Sequence, residues 1–453
     1  MAADSVVDAA VLGAGPAGLA AAVAAHRAGA RVTLVDSGPR VGGQYWRHRD
    51  GDHGRGHRLW STLDRLRDTP LDFRPDHAIW HVERTGDGFT THTSAGEIRS
   101  RTVIVATGAH DRQLPFSGWT LPGVFTAGGA QALLKGHGVV VGDRVVVAGT
   151  GPFLLPVAVG LAEAGARVPG VFEAGSPVGF ARHPAAVLRN LGKLTEGASY
   201  LRALRRHRVR THTRSTVVAA HGDDRVRAVT VATLDREWRV VAGTEREIEC
   251  DAVAVGYGFT PQLELPLQLG CDTHLDADGS LVATADDRQR ASVPGVYLAG
   301  EVCGVGGAQL SLVEGELAGR YAAGAVPGKR LVRRRAALRA FAAALHRTYP
   351  VQPGWQTWLA DDTLVCRCEE VPVRDVRRSI VDLGATEPRA VKLLARPGMG
   401  LCQGRVCGYP TACLVAEARG RPVTAPDLLG MSARPIAQPV TLGSLAEQHV
   451  EEP

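Results

Sequence analysis

Four cysteines in the last hundred residues are spaced as ligands for iron or zinc. Cys366 and Cys368 form a Cys-x-Cys pair, Cys402 and Cys407 form a Cys-x₄-Cys pair, and 33 residues separate the pairs. Thiolates that converge from two loops can hold either Zn²⁺ or an iron–sulfur cluster. Structural zinc sites more commonly use Cys-x₂₋₄-Cys on both sides, so the tight first pair favours a [2Fe–2S] cluster and leaves zinc as the alternative.

The surroundings of these cysteines suit a thiolate-bound cluster. The second cysteine loop is rich in glycine, which lets backbone amides reach the sulfurs and tune their properties. We expect three arginines to offset the negative charge of the cluster: Arg367, Arg396 and Arg405. The remaining cysteines are isolated in sequence, and we expect small buried residues rather than redox centres at Cys250, Cys271, Cys303 and Cys413.

A glycine-rich loop near the N-terminus indicates a dinucleotide site. The loop Gly13-Ala14-Gly15-Pro16-Ala17-Gly18 follows an apolar strand and opens an Ala-rich helix that runs to about Ala28. These glycines permit a tight turn, close approach of the backbone to a pyrophosphate, and close helix–strand packing. Asp36, 23 positions after Gly13 at the end of a second strand, is placed to accept from a ribose hydroxyl.

Further motifs favour FAD over NAD at this site. Gly42-Gly43-Gln44 follows Asp36 at a distance where the chain could run beside the ribityl and flavin, and a buried strand closes on Thr107-Gly108. Far downstream, a strand ends at Gly300-Glu301, and a helix that includes Gln309 follows it. The positive end of that helix would stabilise the negative charge that develops on a reduced flavin.

A second glycine loop is weaker evidence for a nucleotide. Gly149-Thr150-Gly151 follows another apolar strand, but Leu154 stands where the third glycine would allow close helix packing. Glu173, 24 positions after Gly149, would favour an unphosphorylated ribose. The loop could bind NAD, could bind ATP or ADP in a structural or regulatory role, or could belong to a domain that has lost its ligand.

These motifs predict an α/β protein with two dinucleotide-binding, Rossmann-like domains, the second inserted in the first. A small α-rich C-terminal domain would carry the [2Fe–2S] cluster. The predicted bounds are 1–112 with 245–325 for the FAD domain, 113–244 for the second nucleotide domain, 326–360 for a linker, 361–425 for the cluster domain and 426–453 for a tail.

Composition excludes several other classes. A net charge of +6 over 453 residues is mild, and the densest basic run, 329–335, lacks the interleaved aromatics of a nucleic-acid surface. No basic region precedes an apolar one at the N-terminus, and no apolar run is long enough to span a membrane, so we expect a cytoplasmic protein. His110 and His137 lie in loops near the expected flavin or the interdomain cleft, where a hydrogen-bonded histidine is more usual than a catalytic one.

Taken together, the motifs resemble a known group of flavoproteins over nearly the whole chain. The cysteine region is similar to the [2Fe–2S] domain of bacterioferritin-associated ferredoxin. The whole chain resembles the A (α) subunits of opine oxidase, hydrogen cyanide synthase and proline or hydroxyproline dehydrogenase complexes, which are related to the α subunit of heterotetrameric sarcosine oxidase. The matching pieces include Gly42-Gly43-Gln44-Tyr45-Trp46-Arg47, Gly256-Tyr257-Gly258-Phe259-Thr260-Pro261, Cys366-Arg367-Cys368-Glu369-Glu370 and Arg434-Pro435-Ile436-Ala437-Gln438-Pro439-Val440.

This resemblance implies a division of labour. A flavoprotein β subunit would oxidise the CH–NH bond of an amine or imino acid, a small third subunit could be present, and this chain would transfer electrons with its FAD and [2Fe–2S] cluster. Two departures are Glu301, where the family has Asp, and Leu154, which leaves a nicotinamide role in doubt. The alternatives are a self-contained NAD(P)H-dependent flavin reductase that feeds the cluster, and a zinc-stabilised interaction subunit.

Overall fold

The computed structural model describes residues 6–49, 51, 59–432 and 435–449, so Arg434 of the tail motif and residues 1–5 lie outside the described part. The strands, in chain order, are β1 (Val7–Leu12), β2 (Val32–Val35), β3 (Asp72–Arg74), β4 (Ile79–Thr85), β5 (Gly88–Thr93), β6 (Gly96–Val105), β7 (Ala109–Asp111), β8 (Val124–Thr126), β9 (Val145–Gly149), β10 (Val171–Glu173), β11 (Thr211–Thr213), β12 (Ser215–His221), β13 (Ala228–Thr233), β14 (Arg246–Glu249), β15 (Ala252–Gly256), β16 (Phe259–Pro261), β17 (Thr273–Leu275), β18 (Leu281–Ala283), β19 (Val296–Leu298), β20 (Leu364–Cys366) and β21 (Val371–Pro372).

The helices alternate with these strands over the first 270 residues and dominate the remainder. They are α1 (Pro16–Arg27), α2 (Trp60–Arg67), α3 (Ala127–His137), α4 (Leu154–Glu163), α5 (Pro184–Leu188), α6 (Leu191–Arg206), α7 (Glu264–Gln268), α8 (Ala308–Ala322), α9 (Lys329–Thr348), α10 (Val373–Val381), α11 (Pro388–Ala395), α12 (Gly408–Ala418), α13 (Ala425–Met431) and α14 (Leu442–His449). Short 3₁₀ turns occur at Pro177–Arg182, Gly300–Cys303 and Pro353–Trp358.

The first sheet is built around β1, an apolar strand with a fully buried second half. Its strand order is β3-β2-β1-β6-β5-β4, and β19 also pairs with β6. Strands β3, β2, β1, β6 and β19 are parallel, whereas β5 and β4 add an antiparallel edge. The carboxyl ends of the parallel strands therefore meet at one edge of the sheet, which is where ligands bind in open α/β folds.

The second sheet is fully parallel, in the order β11-β10-β9-β15-β8. The sequence predicts that residues 245–325 belong to the first domain, and this boundary is wrong for β15. Val253 of β15 pairs with Val146 of β9, so the chain stays in the second sheet through Gly256. An apolar run of this kind can be buried in either parallel sheet, and its local sequence does not specify the partner strand.

Helices α1 and α8 pack at very short distance across the first domain. Gly315 and Gly319 of α8 lie against the backbone of Ala17 and Ala21 in α1, and a Cβ atom at either glycine would overlap a carbonyl oxygen of α1. The alanine-rich sequence of α1 is explained by this contact, because a larger side chain would separate the two helices.

The predicted linker, 326–360, instead contains α9, a helix of 20 residues. Arg335 and Arg339 of α9 form ion pairs with Glu314 of α8, whose side chain is fully buried. The glycines, prolines and arginines of this segment suggested a solvated connection. Arg335 and Arg339 instead lie on one helix and neutralise a carboxylate inside the protein. Exposed on the same helix are Arg330, Arg333 and Arg334.

The cysteine region shares a core with the second domain. Trp355 and Trp358 pack with Trp238 in one apolar cluster that also includes Cys366 and Cys407. The indole rings of Trp238 and Trp358 stack at 6.2 Å, and Trp358 Nε1 donates to the Trp238 carbonyl at 2.9 Å. Within the described residues, none of the helices combines the length and the apolar character that a membrane span requires.

Candidate functional site

The residues of the first glycine motif lie at the carboxyl end of β1, next to the ends of β6 and β19. The Ala106 amide, just after β6, donates to the Leu12 carbonyl, and the Ala299 amide, just after β19, donates to Val105. These bonds hold the three strand ends together, so the loops that follow them lie at one edge of the sheet, where we expect the cofactor cleft.

The three glycines of this loop have different roles. Gly13 adopts a φ of +104°, and a Cβ there would lie 2.6 Å from the Ala106 carbonyl oxygen. A Cβ on Gly18 would overlap the carbonyl oxygen of Gly13. By contrast, no atom of the described residues lies within 4 Å of a Cβ placed on Gly15, which precedes Pro16 at the start of α1. The first and third glycines therefore permit packing, and the second borders open space at a helix N-terminus, where an anion would bind.

Asp36 stands at the end of β2 and faces this loop. Its carboxylate accepts from the Ala14 amide at 2.6 Å and from the Gly38 amide at 2.7 Å. Burial raises the pKa of Asp36, while these two amides and the positive charge of Arg47 oppose the rise. Two of the roughly four lone-pair sites of the carboxylate are thus occupied, and the others could accept from a hydroxyl.

The loop that carries Gly43 and Gln44 covers the glycine turn. The Gly42 amide donates to the Ala14 carbonyl at 2.7 Å, and a Cβ on Gly43 would lie 2.8 Å from Gly15 Cα. The Gln44 side chain is exposed. The loop is also fixed from the second domain, because Lys135 Nζ of α3 donates to the Tyr45 carbonyl at 3.3 Å. Burial lowers the pKa of Lys135 to about 8.

Thr107 and Gly108 follow β6 on the other side of the cleft. The Thr107 hydroxyl donates to the Gln262 carbonyl at 3.0 Å, and the Gln262 amide returns a bond to the Gly108 carbonyl at 3.0 Å. Gly108 has a φ of +77° and open space around its Cβ position. Sequence reasoning missed Gln262, which is 155 residues away and belongs to no motif.

Gly300 and Glu301 lie at the start of a 3₁₀ turn between β19 and α8. A Cβ on Gly300 would lie 2.8 Å from Ala17 Cβ, so this turn packs directly on the first glycine loop. The Glu301 carboxylate accepts from the Gly307 amide, which caps α8, and burial raises its pKa. Gln309 is half-buried in the first turn of α8.

Glu173 organises the second glycine loop by itself. Its carboxylate accepts from the Thr150 hydroxyl at 2.7 Å, the Gly151 amide at 2.8 Å and the Gly175 amide at 2.8 Å. Burial raises its pKa, and these three donors oppose the rise. Less capacity is left for a ribose than at Asp36, although a Cβ placed on Gly151 would have no atom within 4 Å in the part of the chain that the structure describes.

The structure explains why Leu154 can replace the third glycine. Leu154 begins α4 and is buried against the core of the second domain, 3.6 Å from the Cβ position of Gly256. Gly149, with a φ of +134°, approaches the Gly256 backbone so closely that a Cβ on Gly149 would overlap the Gly256 carbonyl oxygen, as a Cβ on Gly13 would meet Ala106 in the first domain. The Leu154 side chain therefore packs beside a strand end, Gly256, that carries no side chain of its own.

The four predicted cysteine ligands converge, although their two pairs come from separate loops. Their thiols form a row in which Cys407 contacts both Cys366 and Cys402, and Cys402 also contacts Cys368. Cys366 and Cys407 are buried, Cys402 is half-buried and Cys368 is exposed. The row therefore has an inner end in the shared core and an outer end at the surface.

Backbone amides point at these sulfurs from both loops. The Gly398, Glu369 and Cys368 amides lie beside the Cys366 sulfur, and the Val406 and Gly404 amides lie beside the Cys402 sulfur. Contact with the Cys407 thiol and these amides lower the pKa of Cys366 to about 6 and that of Cys402 to about 4. The same contacts raise the pKa of Cys407, and burial raises that of Cys368, so two of the four sulfurs, Cys366 and Cys402, are favoured as thiolates, the form of cysteine that binds a metal.

Two of the three arginines around the cysteines form ion pairs with carboxylates. Arg396 pairs with Glu369 at 2.9 Å, and Arg405 pairs with Glu264 of α7 at 2.7 Å. Arg367 is exposed. Arg396 and Arg405 are therefore already paired with carboxylates, and the contribution of the three arginines to the charge balance of a cluster stays a prediction.

Residues in and just after β7 connect the flavin side to the cysteine loop, which sequence reasoning did not foresee. His110 Nε2 lies 3.1 Å from the Arg405 carbonyl oxygen. The Arg112 guanidinium, fully buried, lies 4.6 Å over the Tyr409 ring and donates to Asp278 at 3.0 Å. His137, the other candidate histidine, is exposed at the end of α3.

A buried polar network continues from Arg112 toward α8. Asp278, Asp276 and His346 of α9 place their ligand atoms within 4.8 Å of one another, as in some metal sites. The charges of Arg112 and Arg339 act on the two carboxylates and depress their pKa values, together with His346. The set is therefore balanced by cations of the chain itself, and we interpret it as an ion-pair network that anchors α9.

The fold and site define a flavin-dependent oxidoreductase class. Residues 7–322 match the pyridine nucleotide-disulphide oxidoreductase family, and the chain belongs to that family, which implies FAD. Within it, the chain is 35% identical to the A subunit of opine oxidase from Rhizobium meliloti (strain 1021), over 98% of this chain and 99% of that protein. It is 33% identical to the HcnB subunit of hydrogen cyanide synthase from Pseudomonas protegens, over 91% of this chain and 92% of that protein. It therefore belongs to the family of these subunits.

More distant relatives share the fold. The alpha subunit of sarcosine oxidase from Corynebacterium sp. (strain P-1) is 32% identical over 72% of this chain and 33% of that protein. L-proline dehydrogenase from P. horikoshii superposes with a TM-score of 0.72 over 97% of this chain and 79% of that chain, at 21% identity. T. acidophilum thioredoxin reductase superposes with a TM-score of 0.53 over 70% of this chain and 98% of that chain, at 24% identity. The likenesses to these two solved structures show the fold alone.

Proposed function

We propose that this chain is the electron-transfer subunit of a complex that oxidises the CH–NH bond of an amine or imino acid, such as proline, hydroxyproline or an opine. The observation that carries the proposal is the convergence of four cysteines beside a flavoprotein fold. The relatives named above are subunits of opine oxidase, hydrogen cyanide synthase and sarcosine oxidase, which supports a role inside a larger assembly.

The residues at the first sheet edge fit FAD. We assign the pyrophosphate to the open space beside Gly15 and the start of α1, and the adenosine ribose to Asp36. Glu301 is positioned by the Gly307 amide to accept from a ribityl hydroxyl, and Gln309 lies in the helix turn that would face the flavin. Gly108 leaves room for the cofactor on one side of this cleft, and Gly43, without a side chain, lets its loop pack closely on Gly15 on the other side.

The cysteine row fits a two-iron cluster better than zinc. One zinc ion holds four sulfurs at about 2.3 Å, which brings every pair of them to about 3.8 Å. Among the described residues, one group brings at least three possible ligand atoms within 4.8 Å of one another. This group is Asp276, Asp278 and His346, and it includes no cysteine. In the cysteine row, adjacent sulfurs are in contact, whereas the sulfurs at the two ends are apart. This arrangement suits four ligands that are shared between two irons.

When bound, FAD would supply two-electron chemistry and the cluster one-electron transfer. The chain's own residues would hold the FAD in the cleft on the inner side and the cluster toward the surface, where Cys368 lies. We propose that a flavoprotein β subunit carries out substrate oxidation and exchanges electrons with this chain, and that a small third subunit completes the complex. The chain itself selects no substrate in this scheme.

Cofactor analysis of the purified full-length chain tests the proposal. We expect about one FAD and two irons per chain, and an EPR signal of a reduced [2Fe–2S] centre after anaerobic dithionite treatment. Zinc without iron would contradict it and favour an interaction subunit. The division of labour is tested separately, because full-rate oxidation of proline, hydroxyproline or an opine by the chain alone would overturn it.

The second candidate is an NAD(P)H-dependent flavin reductase. The open space beside Gly151 at the start of a helix favours some nucleotide in the second domain, whether NAD, ATP or ADP. Stopped-flow mixing with NADH and NADPH tests the reduction of the flavin directly, because bleaching of the flavin absorption would support a reductase. No bleaching, together with calorimetric binding of ATP or ADP, would assign the loop to a regulatory or structural nucleotide instead.

A further inference from the structure

A single chain segment connects the expected flavin cleft with the cysteine loop. Thr107 and Gly108 border the cleft, and the chain continues directly into β7. His110, in the middle of this strand, contacts the cysteine loop through Arg405. A strand rises about 3.3 Å per residue, so the cleft and the cysteine loop are joined by only two or three residues.

His110 donates from Nε2 and is neutral. Its other ring nitrogen, Nδ1, is buried and has no hydrogen-bond partner among the described residues. A protonated imidazolium would leave a charged N–H unpaired at that atom, which is costly in a buried place. Burial also lowers the pKa of His110, so the proton resides on Nε2, where it donates to the Arg405 carbonyl.

The Arg405 carbonyl belongs to the same peptide unit as the Val406 amide. That amide lies beside the Cys402 sulfur, close enough to act on it. Because a trans peptide is planar and places its C=O and N–H on opposite sides, His110 and Cys402 lie at the two ends of one polar group. A donor on the carbonyl polarises the peptide and strengthens the bond that its N–H makes.

Other contacts hold this peptide in place. The Arg405 side chain pairs with Glu264 at 2.7 Å and donates to the Cys402 carbonyl at 3.2 Å and to the Ala437 carbonyl. Two residues beyond the cysteine loop, Tyr409 packs under the guanidinium of Arg112. Residues that follow the flavin cleft therefore contact the cysteine loop on both of its sides.

We propose that His110 is a positioning residue for the cluster, acting through the Arg405–Val406 peptide on the Cys402 sulfur. The inference rests on the proposed function. Stronger amide donation to a ligating sulfur stabilises the more negative, reduced cluster, so His110 raises the reduction potential of the centre that receives electrons from the flavin side. It touches no reacting atom itself.

Potentiometry of three variants, made in the full chain with its cofactors, tests this role. His110→Leu removes the donor, His110→Gln restores an N–H near the position of Nε2, and His92→Leu is the matched control. His92 is a partly buried histidine whose partners, Glu83 and Glu97, lie on the antiparallel edge of the first sheet. The readout is the EPR-monitored midpoint potential of the cluster, with the flavin potential followed in the same titration.

We expect His110→Leu to lower the equilibrium constant for one-electron reduction of the cluster about three- to tenfold, where tenfold corresponds to 59 mV. His110→Gln should recover most of the loss, and His92→Leu should match the parent protein. A cluster that titrates identically in His110→Leu would overturn the inference while leaving the proposed function intact. Zinc in place of iron would overturn both.

Discussion

Arg405 Nε lies 2.7 Å from a carboxylate oxygen of Glu264, and both side chains are about four-fifths buried. Arg405 belongs to the loop between Cys402 and Cys407, whereas Glu264 begins α7, next to the strand that pairs with β7. The ion pair therefore joins the cysteine domain to the flavin half of the molecule.

Removal of Glu264 should weaken this junction. Glu264→Ala leaves a largely buried guanidinium without its carboxylate, and we expect a loss of about 1.5–3 kcal/mol in the free energy of unfolding. Glu249→Ala is the control, because Glu249 pairs with Arg144 while its own side chain is 81% exposed, and such pairs contribute at most about 1 kcal/mol. Urea unfolding followed by circular dichroism measures both variants. Equal losses of stability in the two variants would show that the Arg405–Glu264 pair does not stabilise the contact between the domains.

Three glycine substitutions separate cofactor binding from folding. Gly15→Ala meets no protein atom within 4 Å and has an ordinary φ of −69°, so the chain should fold but bind FAD at least about tenfold more weakly, because the methyl enters the pyrophosphate space. Gly18→Ala should fail to fold, since its Cβ overlaps the Gly13 carbonyl oxygen.

The control is Gly192→Ala on α6, which also has open space and should leave FAD binding unchanged while adding up to about 1 kcal/mol of helix stability. Flavin fluorescence titration and circular dichroism give the two readouts. Full FAD affinity in Gly15→Ala would refute the placement of the pyrophosphate.

The cysteine row predicts which thiols are needed for iron. Serine at any of Cys366, Cys368, Cys402 or Cys407 should abolish the stable two-iron centre, even at the exposed Cys368, because each would supply one of four ligands. Cys250→Ala is the control, since Cys250 is buried in the core of the second domain. Iron analysis and visible absorption after anaerobic purification distinguish them. Retention of the cluster in Cys368→Ser would remove that cysteine from the ligand set.

Asp427 provides a pH-dependent test of how α13 supports the cysteine loop. It forms a capping box with Thr424, and the Arg421 guanidinium lowers the pKa of Asp427 to about 2. The end of α13 supports the loop, because Met431 packs against Gly398 and accepts from Lys392 Nζ through its carbonyl.

Because the folded-state pKa lies below the ordinary 3.8, the contribution of Asp427 is complete above about pH 4 and declines as the pH falls toward 2. Asp427→Asn should cost about 0.5–2 kcal/mol at pH 7, and its deficit relative to the parent protein should shrink across that window. Thermal melting from pH 7 to pH 2.5 measures this, with the exposed Asp362→Asn as control. A deficit that is constant with pH would exclude the ionised carboxylate as its source.

Local patterns in the sequence predicted the strand–loop–helix units correctly. The turn at Gly13, the acid at Asp36 and the acid at Glu173 all lie where the spacing placed them, because each unit is completed within about 25 residues. Asp36 and Glu173 both accept amide bonds from the loop they follow. Such contacts depend on local geometry and need no information about the rest of the chain.

Assignments that depend on distant partners were less accurate. The strand at Ala252–Gly256 was recognisable, but its apolar sequence did not specify which parallel sheet it joins. The composition of 326–360 predicts a linker, because the Glu314 carboxylate that pairs with Arg335 and Arg339 belongs to another helix. The ion pair of Arg405 with Glu264 likewise joins residues that are distant in sequence, so no local pattern predicts it.

The sequence by itself determined the α/β class, the two glycine loops and the two cysteine pairs, because these depend on residue type and short spacing. Only the tertiary structure decided that Leu154 packs beside Gly256 and that the cysteine pairs form one row. It also decided that His110 contacts a carbonyl 295 residues away. These relationships arise where separate segments pack together, and packing depends on shape and charge that no single segment contains.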